Sequence, residues 1–244
     1  MKEAYRAVDP HRGGPDAGGA ALPERVVTRL LLPLTAASGG LDAVCVTRLG
    51  GLFASVITGN MVQLGRAIAT ADARLALGAT TAVGSYAIGV AIGAVPLRHR
   101  GSGWWRRHTV VSAVEVVLLA GMAAGWLATR AHPGRVTTPL LLGLAALAMG
   151  LQSAITINSG VRGASTTYLT GTLTKVAHSL TVDPHRFAAG AGGLARLAAL
   201  LCGAAAGALV LHVAPLWAPL LPAAIVAAVA VSAAALTHDR QNRS

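Results

Sequence analysis

"SVITGNMVQLG", residues 55–65, and "TYLTGTLTKVA", residues 167–177, are two versions of one pattern within a single chain. Thr58-Gly59 matches Thr170-Gly171 at an offset of 112 residues. Read as helices, both keep a polar side chain at every third position. The first gives Asn60, Gln63 and Arg66; the second gives Thr172, Lys175 and His178. Residues three apart share a helix face, so each segment carries one polar stripe. Both stripes are embedded in very apolar sequence, and how the two segments sit relative to one another decides the fold.

The 244 residues are 54% hydrophobic, 12% charged and 4% aromatic, with mean hydropathy +0.60. Soluble domains carry about 25% charged residues, so this composition belongs to a membrane protein. Lys and Arg outnumber Asp and Glu by 20 to 9. On a soluble chain that excess would suggest nucleic acid, but here it is concentrated in tails and short connections, where basic residues orient a protein in the bilayer. No nucleic-acid partner is expected. Cys45 and Cys202 both lie in apolar stretches, which excludes a disulfide framework and a cysteine-based zinc site.

Six windows approach the ~20 apolar residues that a spanning helix needs: about 30–49, 75–97, 109–130, 139–158, 187–212 and 216–237. The TG segments, 53–70 and 164–180, fall after the first and the fourth. The order is therefore long, short, long, long, twice over, which is an internal repeat. "GLDA" at 40–43 and "GLQS" at 150–153 extend it upstream. Arg74 falls opposite Arg186 downstream, with Asp72 and Asp183 as the expected N-caps of the following helices and Pro184 at a first helical position. Residues 1–28 read as a disordered cytoplasmic tail, 29–130 and 131–237 as the two membrane repeats, and 238–244 as a short cytoplasmic tail.

If the short segments do not span, each half crosses three times and the halves are inverted. If they span, each half crosses four times and the halves are parallel. Six crossings with the N-terminus inside place fourteen basic residues inside and five outside, with Arg196 left out because it lies within a helix. Eight crossings give thirteen and six, so the orientation rule favours six. Gly89/Gly93, Gly121/Gly125 and Gly203/Gly207 are small-xxx-small pairs, suited to close helix packing within a bundle or across a homo-oligomer.

Two readings of the TG segments stay open. In the first, they enter from opposite faces and meet near the midplane. There Thr58, Gly59, Asn60, Gln63, Thr170, Gly171, Thr172 and Lys175 would bind a solute, with half-helix N-termini favouring anions or carbonyl groups. In the second, Thr-Gly is a packing contact and the stripes face headgroups or cytoplasm. Asp42, Glu115 and Arg196 are the formal charges well inside long spans. Intramembrane charges face the interior and pair, so Asp42–Arg196 is the expected pair, with Gln152 at the position equivalent to Asp42. Glu115 is expected to snorkel or to meet Arg106 or Arg107. The eight histidines show no metal-ligand spacing, and there is no Walker loop, GxSxG or paired-carboxylate motif, so neither an enzyme, a metal nor a cofactor is expected.

"GLDAV", "VITGNMVQLG", "AMGLQSA" and "GASTTYLTGTLTKVA" together resemble the YoaK-like family of bacterial inner-membrane proteins, over roughly 30–237. The resemblance implies six spans in the inner membrane and no substrate. The fold expected is an all-α polytopic bundle of two repeats, with both termini cytoplasmic. The function expected is a transporter or channel for a small polar or anionic solute. The alternative is a non-transporting scaffold or regulator that dimerises through glycine-rich helix faces. The lipid bilayer and a small-molecule solute are the partners implied.

Overall fold

A computed structural model of the chain describes residues 22–98, 104–161, 166–167, 169–182 and 187–242. Most of the expected N-terminal tail, and the expected cap at Asp183-Pro184, lie outside the described residues. Eight α-helices follow in order: α1 Glu24–Arg48, α2 Ile57–Ala69, α3 Ala73–Leu97, α4 Arg106–Ala128, α5 Thr137–Asn158, α6 Thr170–Val182, α7 Phe187–Val213 and α8 Leu220–Gln241, with a 3-10 turn at Pro215–Trp217. No strand occurs among the described residues.

Six of the helices are long and apolar enough to cross a membrane. Their outward faces carry Ile88, Val95, Val117, Leu201, Leu209 and Val231, all exposed as lipid-facing side chains would be. The protein is a multi-pass membrane bundle. The remaining helices, α2 and α6, have 13 residues each. At ~1.5 Å per residue such a helix covers only about 20 Å of a ~30 Å hydrocarbon core.

Local chemistry sets the boundaries. Asp72 caps α3 as expected, its Oδ1 accepting from the backbone N–H of Arg74 at 3.1 Å and of Leu75 at 3.0 Å. Pro96 stands one residue before the end of α3, where the chain stops being able to propagate a helix. α1 begins at Glu24, inside the stretch expected as tail, because Leu22 is fixed by a backbone hydrogen bond from its N–H to the Trp104 carbonyl at 3.0 Å.

Contacts between elements define two ends of the bundle. At one, Leu22 meets Trp104, the His108 Nε2 lies 3.2 Å from the Asn158 carbonyl oxygen, and the start of α4 faces the end of α8 across Thr109 and His238. At the other, Trp126 Nε1 donates to the Pro215 carbonyl at 2.9 Å, and Arg48, Arg74 and Pro133 line one cavity. The stretch 49–72, which contains α2, thus starts and finishes at the same end.

The two most extensive helix contacts are α3 against α5 and α1 against α7. Both depend on glycine. A methyl group on Gly203 would run into the backbone carbonyl of Ala36, and one on Gly207 would lie 2.6 Å from the Gly40 carbonyl oxygen. On the other side, a methyl on Gly89 would meet the Leu147 carbonyl, and one on Gly150 the Tyr86 carbonyl. Residue numbers rise together across each contact, so α1 and α7 run in the same sense, as do α3 and α5. The Gly89/Gly93 and Gly203/Gly207 faces, expected to serve a bundle or an oligomer, are both occupied within the chain. Of the third pair, Gly121 faces open space and Gly125 packs on Leu141.

Candidate functional site

The stretch between α1 and α2 doubles back along the last two turns of α1. Asp42 directs that reversal. Its Oδ1 accepts from the backbone N–H of Ala54 at 2.7 Å and of Ser55 at 2.9 Å, and its Oδ2 accepts from Ser55 Oγ at 2.5 Å. Ser38 Oγ donates to Ser55 Oγ at 3.1 Å. Three donors therefore converge on one buried carboxylate, which a membrane interior otherwise excludes. Asn60 fixes the next piece: its Nδ2 donates to the Phe53 carbonyl at 2.7 Å, and its Oδ1 accepts from the Phe53 N–H at 2.9 Å. Gln63 Nε2 reaches the Gly51 carbonyl at 3.3 Å.

The second TG segment is gripped from α5 by different chemistry. Gln152 Nε2 donates to Thr166 Oγ1 at 2.8 Å and to the Leu34 carbonyl at 3.2 Å. Ser153 Oγ lies 2.9 Å from Thr167 Oγ1 and accepts from the Tyr86 hydroxyl at 2.7 Å. For both TG segments, a polar residue of the long helix that precedes it holds the residues that enter the short helix.

These two arrangements border one cavity of about 800 Å³. Asp42, Ser55 and Thr58 reach it from one side, Thr167 and Thr170 from the other, and Tyr86 from α3; the α7 side chains from Leu197 to Ala208 make the apolar wall. α2 starts here without any side-chain cap, leaving backbone N–H groups of its first turn for another acceptor.

Of the residues singled out in the sequence, Thr58 and Thr170 meet at this cavity together with Asp42. Asn60 and Gln63 do not line it; they are spent on Phe53 and Gly51. Gly59 sits against the Phe53 ring, and Thr172 against Gly193 of α7. Gly171 is half-buried and outside the lining, while Lys175 and His178 are exposed and also outside it. The expected Asp42–Arg196 pair is not formed: Asp42 is taken by residues 54 and 55, and the Arg196 Nε is buried without a partner among the described residues. Glu115 does not snorkel. It is fully buried, both carboxylate oxygens lack a partner among the described residues, and it shares the inner face of α4 with His108 and Ser112. Helices α5 and α8 cover that face, which removes any route to the headgroups.

Ser55, Tyr86 and Thr167 are lining residues with hydrogen bonds in the site that the sequence reading missed. Ser55 and Thr167 share the offset of 112 and stand three residues before each TG pair, a signal that was present in the repeat. Tyr86 had none, because its partner Ser153 is 67 residues away.

Asn60→Ala would leave both the N–H and the carbonyl of Phe53 unpaired in the interior. We expect a loss of about 2 kcal/mol, read as a lower unfolding temperature in detergent together with faster hydrogen exchange at Phe53. Unchanged exchange there would mean that the amide clamp does not hold the stretch.

The model of family DUF1275, described as "Protein of unknown function", matches residues 30–232. The chain belongs to the DUF1275 family. It is also similar to the UPF0700 transmembrane protein YoaK of Bacillus subtilis (strain 168), with 29% identity over 152 residues. That alignment covers 62% of this chain and 65% of YoaK, so it spans a little under two thirds of that relative's length. No solved structure matches. The relative is described as a transmembrane protein, and neither description names a substrate.

Proposed function

We propose that this chain is a transporter or channel for a small polar solute in the bacterial inner membrane, built as two inverted halves with both termini cytoplasmic. The observation that carries the reading is that both TG helices begin at one cavity, through Thr58 and Thr170. Three features support the architecture. Exchanging the first four helices with the last four turns the α3–α5 contact into the α7–α1 contact, as an internal repeat requires. α1 runs toward the Arg48 end and α5 away from it, the relation of inverted repeats. The stretch 49–72 leaves and re-enters at one end, and α2 exposes Met61, Val62 and Ile68, which suits a re-entrant segment with one face on lipid.

The cavity's lining modifies the expected solute. Among the described residues its one formal charge is the Asp42 carboxylate; Lys175 is elsewhere, and Arg66 lines a different cavity. A bias toward anions therefore has no support from the wall. Hydroxyl groups, one carboxylate and a long apolar side suit a neutral or cationic, partly apolar solute. The scaffold alternative rested on free glycine faces, and two of the three are filled within the chain.

Cysteine accessibility tests this without knowledge of the solute. With Cys45 and Cys202 replaced, Ala71→Cys and Thr181→Cys should label from opposite sides of sealed proteoliposomes. Thr58→Cys and Thr170→Cys should both react with a small water-soluble thiol reagent. Same-side labelling would exclude inverted halves, and two unreactive cavity cysteines would remove the aqueous pathway.

A further inference from the structure

At the Arg48 end of the bundle, a second cavity of about 530 Å³ opens between the ends of α1 and α2, the start of α3 and the α4–α5 connection. Four arginines line it, one from each element: Arg48, Arg66, Arg74 and Arg135. None of their guanidinium groups makes an ion pair or hydrogen bond to another described residue. The acidic residue in the wall, Asp72, directs one carboxylate oxygen at the backbone of Arg74 and Leu75 as a helix cap. The cavity is therefore strongly positive.

Helix electrostatics explain half of this. Arg48 and Arg66 lie in the last turns of α1 and α2, where a cation complements the dipole. Arg74 lies in the first turn of α3, where a cation opposes it, and Arg135 is in a connection. The four guanidinium groups are exposed at the cavity and outnumber Asp72, the acidic residue among its described lining, so they leave a net positive field that a bound anion would stabilise. Orientation sharpens the point. In the proposed topology this is the non-cytoplasmic end, which the positive-inside tendency depletes of basic residues. Only Arg48, Arg66, Arg74, Arg130 and Arg135 remain there, and all but Arg130 line this cavity. All four are arginine, whose planar fork matches phosphate oxygens in pairs.

We infer that this cavity binds a phosphate group, carried either by a phospholipid headgroup or by a soluble phosphate. The inference goes beyond the solute reading and does not depend on it: Gly50 and Leu52 line this cavity, whereas Phe53 and Ser55 line the central one. A phosphate held here would tie the outer end of α2 to α1 and α3, on the far side of the stretch that Asn60 and Gln63 clamp.

The test uses the full chain in neutral detergent, with Arg66→Gln/Arg74→Gln/Arg135→Gln as the variant and Arg98→Gln/Arg106→Gln as a control at the opposite end. Inorganic phosphate is titrated while unfolding temperature is read; separately, retained phosphatidylglycerol or diacylglycerol is counted by native mass spectrometry. A saturable rise in unfolding temperature, lost in the triple variant and kept in the control, identifies a soluble phosphate ligand. Retention of phosphatidylglycerol over diacylglycerol, lost in the variant, identifies a lipid headgroup. Neither effect, or equal effects in wild type and variant, overturns the site. Should the variant fail to fold, phenylglyoxal modification of the wild type decides. Slower reaction of Arg66 and Arg74 than of Arg130 when phosphate or phosphatidylglycerol is added supports the site, and equal slowing overturns it.

Discussion

Replacing Asp42 by alanine is expected to destabilise the protein by about 4 kcal/mol, whereas asparagine should cost only about 1 kcal/mol. Alanine removes the acceptor of three buried donors at once: the backbone N–H of Ala54, the backbone N–H of Ser55 and the Ser55 hydroxyl. Ala54 and Ser55 are both buried, so their backbone N–H groups lose a partner at positions where an unmade hydrogen bond is costly. Asparagine keeps an oxygen where Oδ1 now accepts both backbone N–H groups, and its amide nitrogen can donate to Ser55 Oγ. Unfolding temperature and monodispersity in detergent measure the difference. An alanine variant as stable as the wild type would show that Asp42 does not direct the chain reversal. The pair also separates two roles. If asparagine preserves the fold but changes the reactivity of Thr58→Cys, the charge of Asp42 acts in the cavity and not only in the framework.

The second large effect concerns the helix crossings. Gly203→Val and Gly89→Val should each cost about 3 kcal/mol or more, because the added carbons collide with backbone and not with a side chain that can rotate away. At Gly203 the obstacle is the Ala36 carbonyl, and at Gly89 the Leu147 carbonyl. The only relief is separation of α1 from α7, or of α3 from α5. Gly121→Ala faces open space and should leave stability unchanged within about 0.5 kcal/mol. Thermal unfolding of the three variants in one detergent makes the comparison. Valine at 203 with an unshifted midpoint would mean that these helices are not in close contact.

The six long helices were legible because a bilayer demands a long apolar stretch whatever surrounds it. Windows set at 75–97 and 139–158 became Ala73–Leu97 and Thr137–Asn158. The short helices were legible as elements, and Thr58 and Thr170 as residues that meet. The polar stripes were misread for a physical reason. A three-residue spacing shows that Asn60 and Gln63 share a face, but not what opposes that face. Their partners, Phe53 and Gly51, arrive only because the chain reverses beside α1. The Asp42–Arg196 pairing failed similarly. Counting residues into a helix estimates depth, while pairing also requires direction around the axis, and Asp42 points at its own connecting stretch.

The glycine contacts bear on how the protein is made. Gly40 is synthesised early, yet Gly203, the residue it packs against, is 163 positions later. The helix carrying Gly40 therefore waits in lipid, its narrow face uncovered, until most of the chain has left the ribosome. The α1–α7 contact can close only in a late step, once α7 has been made.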